Sequence, residues 1–239
     1  MQELTAPPDQ SEGAPFHPEG DHTYFHAADK KGYSGVGLHC RQEPDAVHVG
    51  LGDGFEDIDN EGRYIQADFG DLSVVSLYMP SGSSKDERQV FKYDMMARFE
   101  ARLEEIIASG RKYIICGDWN IAHKKADIKN WRGNQKNSGF LPEERQWMDW
   151  LFGESESETA DTVRGNAGFH DAFRIINQEI EQYTWWSNRG QAWANNTGWR
   201  IDYHVITDNL KDKVVPGSAH IYKEQRFSDH APLTIEYDL

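Results

Sequence analysis

The chain has 239 residues, of which 38% are hydrophobic and 12% aromatic. That composition supports one sizeable core in a single β-rich or α/β domain. No apolar run reaches the roughly 18 residues a membrane helix needs, and no signal-peptide pattern opens the chain, so the sequence reads as a soluble cytoplasmic protein. Its 25 Lys and Arg against 40 Asp and Glu leave a formal charge of −15, the wrong sign for a protein that grips nucleic acid mainly through cationic side chains. A carboxylate cluster holding a divalent cation would still turn acidic residues into a phosphate site. Cys40 and Cys116, in separate expected strands and without CxxC spacing, suggest buried thiols and neither a disulfide framework nor a zinc site.

In chain order, residues 1–22 are rich in Pro, Gly, Asp and Glu and read as a loop apart from the tripeptide Gln2-Glu3-Leu4. The stretch YFHAADKKGYSGVGLHC alternates and turns at Lys30–Gly32, predicting a hairpin. A second hairpin follows, with RYIQADF and LSVVSLY flanking Gly70-Asp71. From Asp86 the spacing becomes helical: Phe91, Met95, Phe99, Leu103 and Ile107 fall four apart, and Ser109-Gly110 ends the run. The apolar run Tyr113–Cys116 then predicts a strand covered on both faces, closed by Gly117-Asp118-Trp119-Asn120. If extended geometry persists, Asp118 and Asn120 point the same way; the same residues read equally well as a turn.

Leu141-Pro142-Glu143-Glu144 opens another helix, with Pro in its first turn, acids at the positive end of the dipole, and Trp147, Trp150 and Leu151 on one face. GESESETADTVRGNAG reads as a solvated polar connector. TGWRIDYHVIT and APLTIEYDL both read as strands. Strands interrupted by helices fit two stacked sheets with helices outside.

Polar residues collect at strand ends and in short loops: Glu3, Tyr78, Asp118, Asn120, Asp202, Asp229 and His230. Asp202 inside a strand-like run is either an exposed edge residue or a buried carboxylate that needs a partner. His230, just before the last strand, is either a surface histidine or that partner. The aromatic segment YTWWSNRGQAWANNTGW carries Trp185 and Trp199 among Ser, Asn, Gly and Arg, a poor core composition and a good surface for stacking on flat groups. Asn134-Gln135-Lys136-Asn137 is a turn by default, yet able to donate hydrogen bonds to phosphate oxygens.

Together QEL at 2–4, YMPSG at 78–82, GDWNIAH at 117–123, NQKNSGFLPEERQW at 134–147, YTWWSNRGQAW at 183–193, GWRIDYH at 198–204 and SDHAPL at 228–233 resemble the exonuclease III family of DNA-repair nucleases, within the endonuclease/exonuclease/phosphatase superfamily. GDxN and SDH alone mark only the superfamily; WRIDY, the double-Trp loop and NQKNSGF favour the DNA-repair branch over lipid or inositol-phosphate relatives.

The resemblance implies an α/β fold, a four-layered sandwich of two packed mixed sheets flanked by helices. It implies a metal-dependent DNA phosphodiesterase of base-excision repair: a 3′-5′ exonuclease on duplex DNA that also cleans 3′ ends and nicks abasic sites. Matched roles put Mg²⁺ or Mn²⁺ on Glu3 and Asp229, with Asp118, Asn120 and His230 close to the ion. Asp118 would activate water, Asn120 would hold that water or a phosphate oxygen, the Asp202–His230 pair would donate to the phosphate, and Tyr78 would support the same oxygens. Trp185, Trp199 and Ile201 would wall the pocket for a base-less sugar, and Asn134 and Asn137 would touch the DNA backbone. The implied partner is double-stranded DNA with abasic sites, nicks or blocked 3′ ends, bound by a monomer.

The family carries a strand–helix–strand segment before QEL, and here Met1 stands directly before Gln2. The sequence therefore reads as one catalytic domain over 1–239, truncated at its N-terminus, with Glu3 at a frayed end. A small-molecule or lipid phosphatase on the same scaffold, or an inactive DNA-binding fragment, are the alternatives.

Overall fold

The computed structural model describes residues 1–4, 17–154 and 165–239. Most of the N-terminal loop and of the acidic connector expected from the sequence lie outside them. The chain divides into two compact units, Met1–Met79 with Arg111–Asp118, and Pro80–Gly110 with Trp119–Leu239.

In the first unit, β1 (His22–His26) and β2 (Val36–Cys40) form an antiparallel hairpin. β3 (Ala46–Val49) pairs with β4 (Tyr64–Phe69), and a short helix α1 (Glu56–Asp59) lies between them in sequence. β4 pairs antiparallel with β5 (Leu72–Tyr78), Phe69 facing Leu72 across the two-residue turn Gly70-Asp71, as the sequence predicted. β5 then runs parallel to β6 (Lys112–Asp118), in a register that sets Tyr78 beside Asp118. Alternation on the pleated strands turns Val36, Leu38, Ile65, Ala67 and Tyr78 into one buried cluster. Cys40 and Cys116 are free thiols, and burial pushes that of Cys116 up to about 12.

The second unit opens with α2 (Asp86–Ala108). Its buried face is Lys92, Met95, Met96, Phe99, Leu103 and Ile106, whereas Ile107 is 36% exposed. The expected four-residue stripe drifts because each step of four overshoots a full turn by about 40°, so Ile106 replaces Ile107 at the far end. A 3₁₀ turn at Lys125–Asp127 and the single turn α3 (Trp131–Asn134) precede α4 (Pro142–Phe152), which buries Trp147, Trp150 and Leu151 as expected. Phe99, Trp119 and Trp147 stack in a tilted series within this core.

β7 (Phe169–Asp171) pairs antiparallel with β8 (Asp202–Thr207), and α5 (Ala172–Ile176) begins where β7 ends, capped by the Asp171 side chain. Asp202 therefore opens a strand instead of interrupting one. The preceding residues Trp199–Ile201 commit their backbone groups to Thr184, Trp185, Trp119 and Asp127. The long terminal strand expected from APLTIEYDL reduces to β10 (Leu233–Thr234), because its partner β9 (His220–Ile221) offers two residues; one further bridge joins Val214 to Tyr237. Among the described residues no helix is long and apolar enough to cross a membrane.

Candidate active site

In the first unit, Tyr78 and Asp118 sit side by side at the carboxyl ends of parallel β5 and β6. A Cβ at Gly117 would collide with the Leu77 carbonyl, so only glycine lets the two strands close at this point. Asp118 is 3% exposed, and its carbonyl accepts from the Met79 amide at 2.8 Å. The Tyr78 hydroxyl donates to Glu3 Oε1. Beneath its ring lies the Arg63 guanidinium, 4.8 Å from the centroid, with Nη1 donating to the Tyr78 carbonyl at 3.0 Å. Burial, then the charges of Glu3 and Asp118, hold the Tyr78 phenol well above its ordinary range, so it stays a neutral O–H donor.

Glu3 is not frayed as the sequence suggested. The Met1 ammonium donates to the Gly37 carbonyl at 2.8 Å, Gln2 bridges Val36, and the Leu4 amide donates to the Gly35 carbonyl at 3.2 Å. These bonds lay residues 1–4 along β2 and support Glu3 in a left-handed conformation, φ 57°.

β6 ends at Asp118, and in the second unit Asn120 adopts the left-handed φ of 53°. This is the turn that the sequence allowed equally with continued extension, and asparagine tolerates it better than most residues. His230 Nδ1 lies 3.0 and 3.2 Å from the two oxygens of Asp202, an arrangement that fixes the ring and directs Nε2 away from the carboxylate.

Asp229 is held from both sides: Trp185 Nε1 donates to Oδ2 and Ser228 Oγ to Oδ1, each at 3.1 Å. The extended segment Thr184–Trp186 binds the other two pieces together. Trp185 exchanges backbone bonds with Trp199, the Trp186 amide donates to the Asp229 carbonyl, and the Ala231 amide donates to the Thr184 carbonyl.

Trp185 and Trp199 meet edge to face, centroids 6.1 Å apart, and pack with Ile201 on Phe140, Ala122 and Ile128. The three residues expected to wall the pocket thus pack into one apolar cluster, with Ile201 buried and both tryptophans partly so. Asn137 Nδ2 donates to Asn134 Oδ1 at 2.7 Å, and Asn134 Nδ2 to the Asn130 carbonyl at 3.0 Å, making the amide-rich loop a self-bonded turn.

Residues outside the sequence expectation also support this half. Thr184 Oγ1 accepts from the amides of Ile201 and Asp202, both at 3.2 Å, which fixes where β8 begins. Arg200, fully buried, donates to Asp127 at 2.8 Å and Asp171 at 2.7 Å and so anchors the backbone between Trp199 and Ile201. In the sequence, an arginine inside the WRIDY run offered the only hint of this network.

For a hard divalent cation the donor chemistry fits. Glu3 and Asp229 are carboxylates, and each described hydrogen bond to them uses one of the roughly four lone-pair positions a carboxylate offers.

Comparison with known proteins identifies the family. The chain is 37% identical over 223 residues to an exodeoxyribonuclease of Bacillus subtilis (strain 168), covering 92% of this chain and 81% of that protein. It is 36% identical over 222 residues to the DNA repair nuclease APEX1 of Danio rerio, covering 91% of this chain and 65% of the relative. A 3′ phosphatase from Neisseria, solved with product DNA hairpin, superposes with TM-score 0.83 at 25% identity, over 100% of this chain and 87% of that one. The α/β class expected from the sequence, mixed sheets with flanking helices, is the fold found. Residues 1–230 match the endonuclease/exonuclease/phosphatase family, and the chain belongs to it.

Proposed function

We propose that this chain is a divalent-cation-dependent DNA phosphodiesterase of base-excision repair, with Mg²⁺ or Mn²⁺ as the ion. Its substrate is duplex DNA carrying abasic sites, nicks or blocked 3′ ends, on which it acts as a 3′-5′ exonuclease, a 3′-end-cleaning enzyme and an abasic-site endonuclease. The observation that carries the reading is the Asp202–His230 pair, tied through the neighbouring Asp229 and Trp185 to the apolar wall of Trp199 and Ile201.

Hydrolysis breaks one P–O bond and adds the elements of water. Asp118 takes the proton of the attacking water, and the Asn120 amide orients that water or a non-bridging oxygen. His230, its Nδ1 committed to Asp202, presents Nε2 to a phosphate oxygen as negative charge builds there. Tyr78, kept protonated, would turn its single O–H from Glu3 Oε1 to the same group when substrate is bound. Glu3 and Asp229, with Asp118, Asn120 and His230 nearby in role, would hold the cation, which supplies charge neutralisation at phosphate and leaving oxygen.

Trp185, Trp199 and Ile201 accept a sugar that lacks its base, and Asn134 and Asn137 bind the backbone through neutral amides. The net charge of −15 repels phosphates at long range, so these amides act at short range without electrostatic steering. The test is a labelled duplex with one abasic site, incubated with Mg²⁺ and resolved on a denaturing gel. Cleavage at the site that vanishes in Asp118→Ala supports the proposal; an intact strand at micromolar enzyme overturns it.

A further inference from the structure

α2 buries a charge where its neighbours are apolar: Lys92 lies on the face of Met95, Met96 and Phe99 and is 0% exposed. Its counter-ion, Glu144 of α4, is also 0% exposed, and Nζ lies 2.5 Å from Oε1. A buried ion pair is a poor source of stability, since desolvating two charges offsets their attraction. Two apolar residues would fill the space at less cost. The pair therefore calls for another account, and its remaining hydrogen bonds supply one.

Lys92 Nζ also donates to the Asn120 carbonyl at 2.8 Å. Glu144 Oε2 accepts from the backbone amides of Gly139 at 2.6 Å and Leu141 at 3.0 Å, and Oε1 from Gln89 Nε2 at 3.1 Å. Gly139 in turn accepts from the Ala122 amide at 2.8 Å, and a Cβ on it would press against the Asn120 carbonyl and the Trp199 ring. So one buried pair grips two backbones. One is the left-handed residue Asn120; the other is the end of the amide turn that carries Asn134 and Asn137.

We propose that Lys92 and Glu144 are positioning residues that lock Asn120 in its left-handed conformation and set the 134–139 turn against it. The registry of the phosphate-orienting amide and the DNA-contacting turn is then fixed by a single buried charge pair before substrate arrives. A left-handed asparagine relaxes readily to ordinary backbone angles once its carbonyl is released, and that would swing its side chain away. The catalytic consequence rests on the function proposed above, while the backbone consequence does not.

The test compares Lys92→Met, Glu144→Gln and the double variant, with and without Asn120→Ala, in turnover of the abasic duplex and in crystal structures of each protein. The double variant removes both charges together, so no unpaired ion is left buried and folding is retained where a single change fails. We expect cooperative thermal unfolding of the double variant, a kcat lowered about 10- to 100-fold as for a misplaced catalytic group, and Asn120 at a negative φ. In the Asn120→Ala background the same double change should lower kcat no further, because its effect runs through Asn120. Equal losses with and without Asn120, or Asn120 still at positive φ in the double variant, would overturn the proposal. If the unaltered chain cleaves no DNA, the function proposed above fails, and the φ of Asn120 in the variants alone decides this inference.

Discussion

Replacing Asp127 with asparagine separates the stability of the second unit from its chemistry. Asp127 is 0% exposed and stands between two guanidinium groups: Oδ1 accepts from Arg200 Nε at 2.8 Å and Arg174 Nη2 at 2.6 Å. Oδ2 accepts from the Lys124 amide at 2.9 Å, and the Asp127 carbonyl accepts from the Arg200 amide at 2.7 Å. Asp171 supplies the second negative charge, accepting from Arg200 Nη2 at 2.7 Å. The cluster balances as two cations and two anions. The Asp127→Asn change would keep the volume and leave two buried cations facing one carboxylate.

Breaking one partner out of a buried ion cluster costs about 3–5 kcal/mol. For a chain of this size each kcal/mol moves Tm by about 2–4 °C, so Asp127→Asn should lower Tm by roughly 6–20 °C. The loss should appear in circular dichroism and in urea melts as a lower midpoint with an unchanged slope. A second signature fixes the cause. Burial acts to raise the Asp127 pKa, but Arg200 and then Arg174 outweigh it and hold the carboxyl well below its ordinary 3.8. A depressed carboxylate gives stability that is complete above the unfolded value and is lost as pH falls below it. The parent protein should therefore lose stability below pH 3.8 in a component that Asp127→Asn lacks. A Tm within about 2 °C of the parent at neutral pH, or parallel stability curves below that pH, would refute this account.

Three further outcomes follow from the geometry. Asp202→Asn should leave the fold intact and cut kcat on the abasic duplex about 100-fold or more, because it removes the charge that fixes the His230 ring; steady-state kinetics beside a thermal melt read both. Tyr78→Phe should cost roughly 100-fold in kcat, the loss of one hydrogen-bond donor, without altering the pH–rate profile up to about pH 10, since burial and the neighbouring carboxylates keep the phenol protonated there. His204, stacked on Tyr237, has its pKa lowered by burial to about 4 from 6.5, so its stabilising contribution is complete above pH 6.5 and disappears as pH falls toward 4; in His204→Gln the stability curve should flatten across that window.

The secondary structure was legible wherever a pattern repeats over several residues. The Gly70-Asp71 hairpin was readable because two β-rich runs flank a two-residue turn, and α4 because a proline and two acids mark its first turn. Legibility failed where an element owes its existence to a distant partner. β7 and β9 have three and two residues, too few to carry a period, and exist because β8 and β10 pair with them. APLTIEYDL has the composition of a strand, but composition cannot supply the neighbour that would let it pair along its length.

The active-site pairs follow the same logic at the level of charge. Asp202 and His230 could be joined from the sequence because a carboxylate in a strand-like run and an imidazole before a strand each ask for a counterpart, and each is the other's answer. Lys92 raised no such question: at one position of an amphipathic helix with arginines on other faces, a lysine reads as solvent-facing, and the first-turn acid Glu144 reads as a dipole complement. Their burial becomes visible only when α2 and α4 converge on the backbone of Asn120 and Gly139. Arg200 and Asp127 escape for the same reason, each ordinary alone and costly to bury without the other. Sequence patterns report which residues want to leave water, and the polar groups compelled to leave with them are assigned by the packing. In this chain those compelled groups hold the backbone beside Asn120, Gly139 and Arg200, next to the residues proposed to meet the substrate, so the positions hardest to read are the ones that fix that backbone.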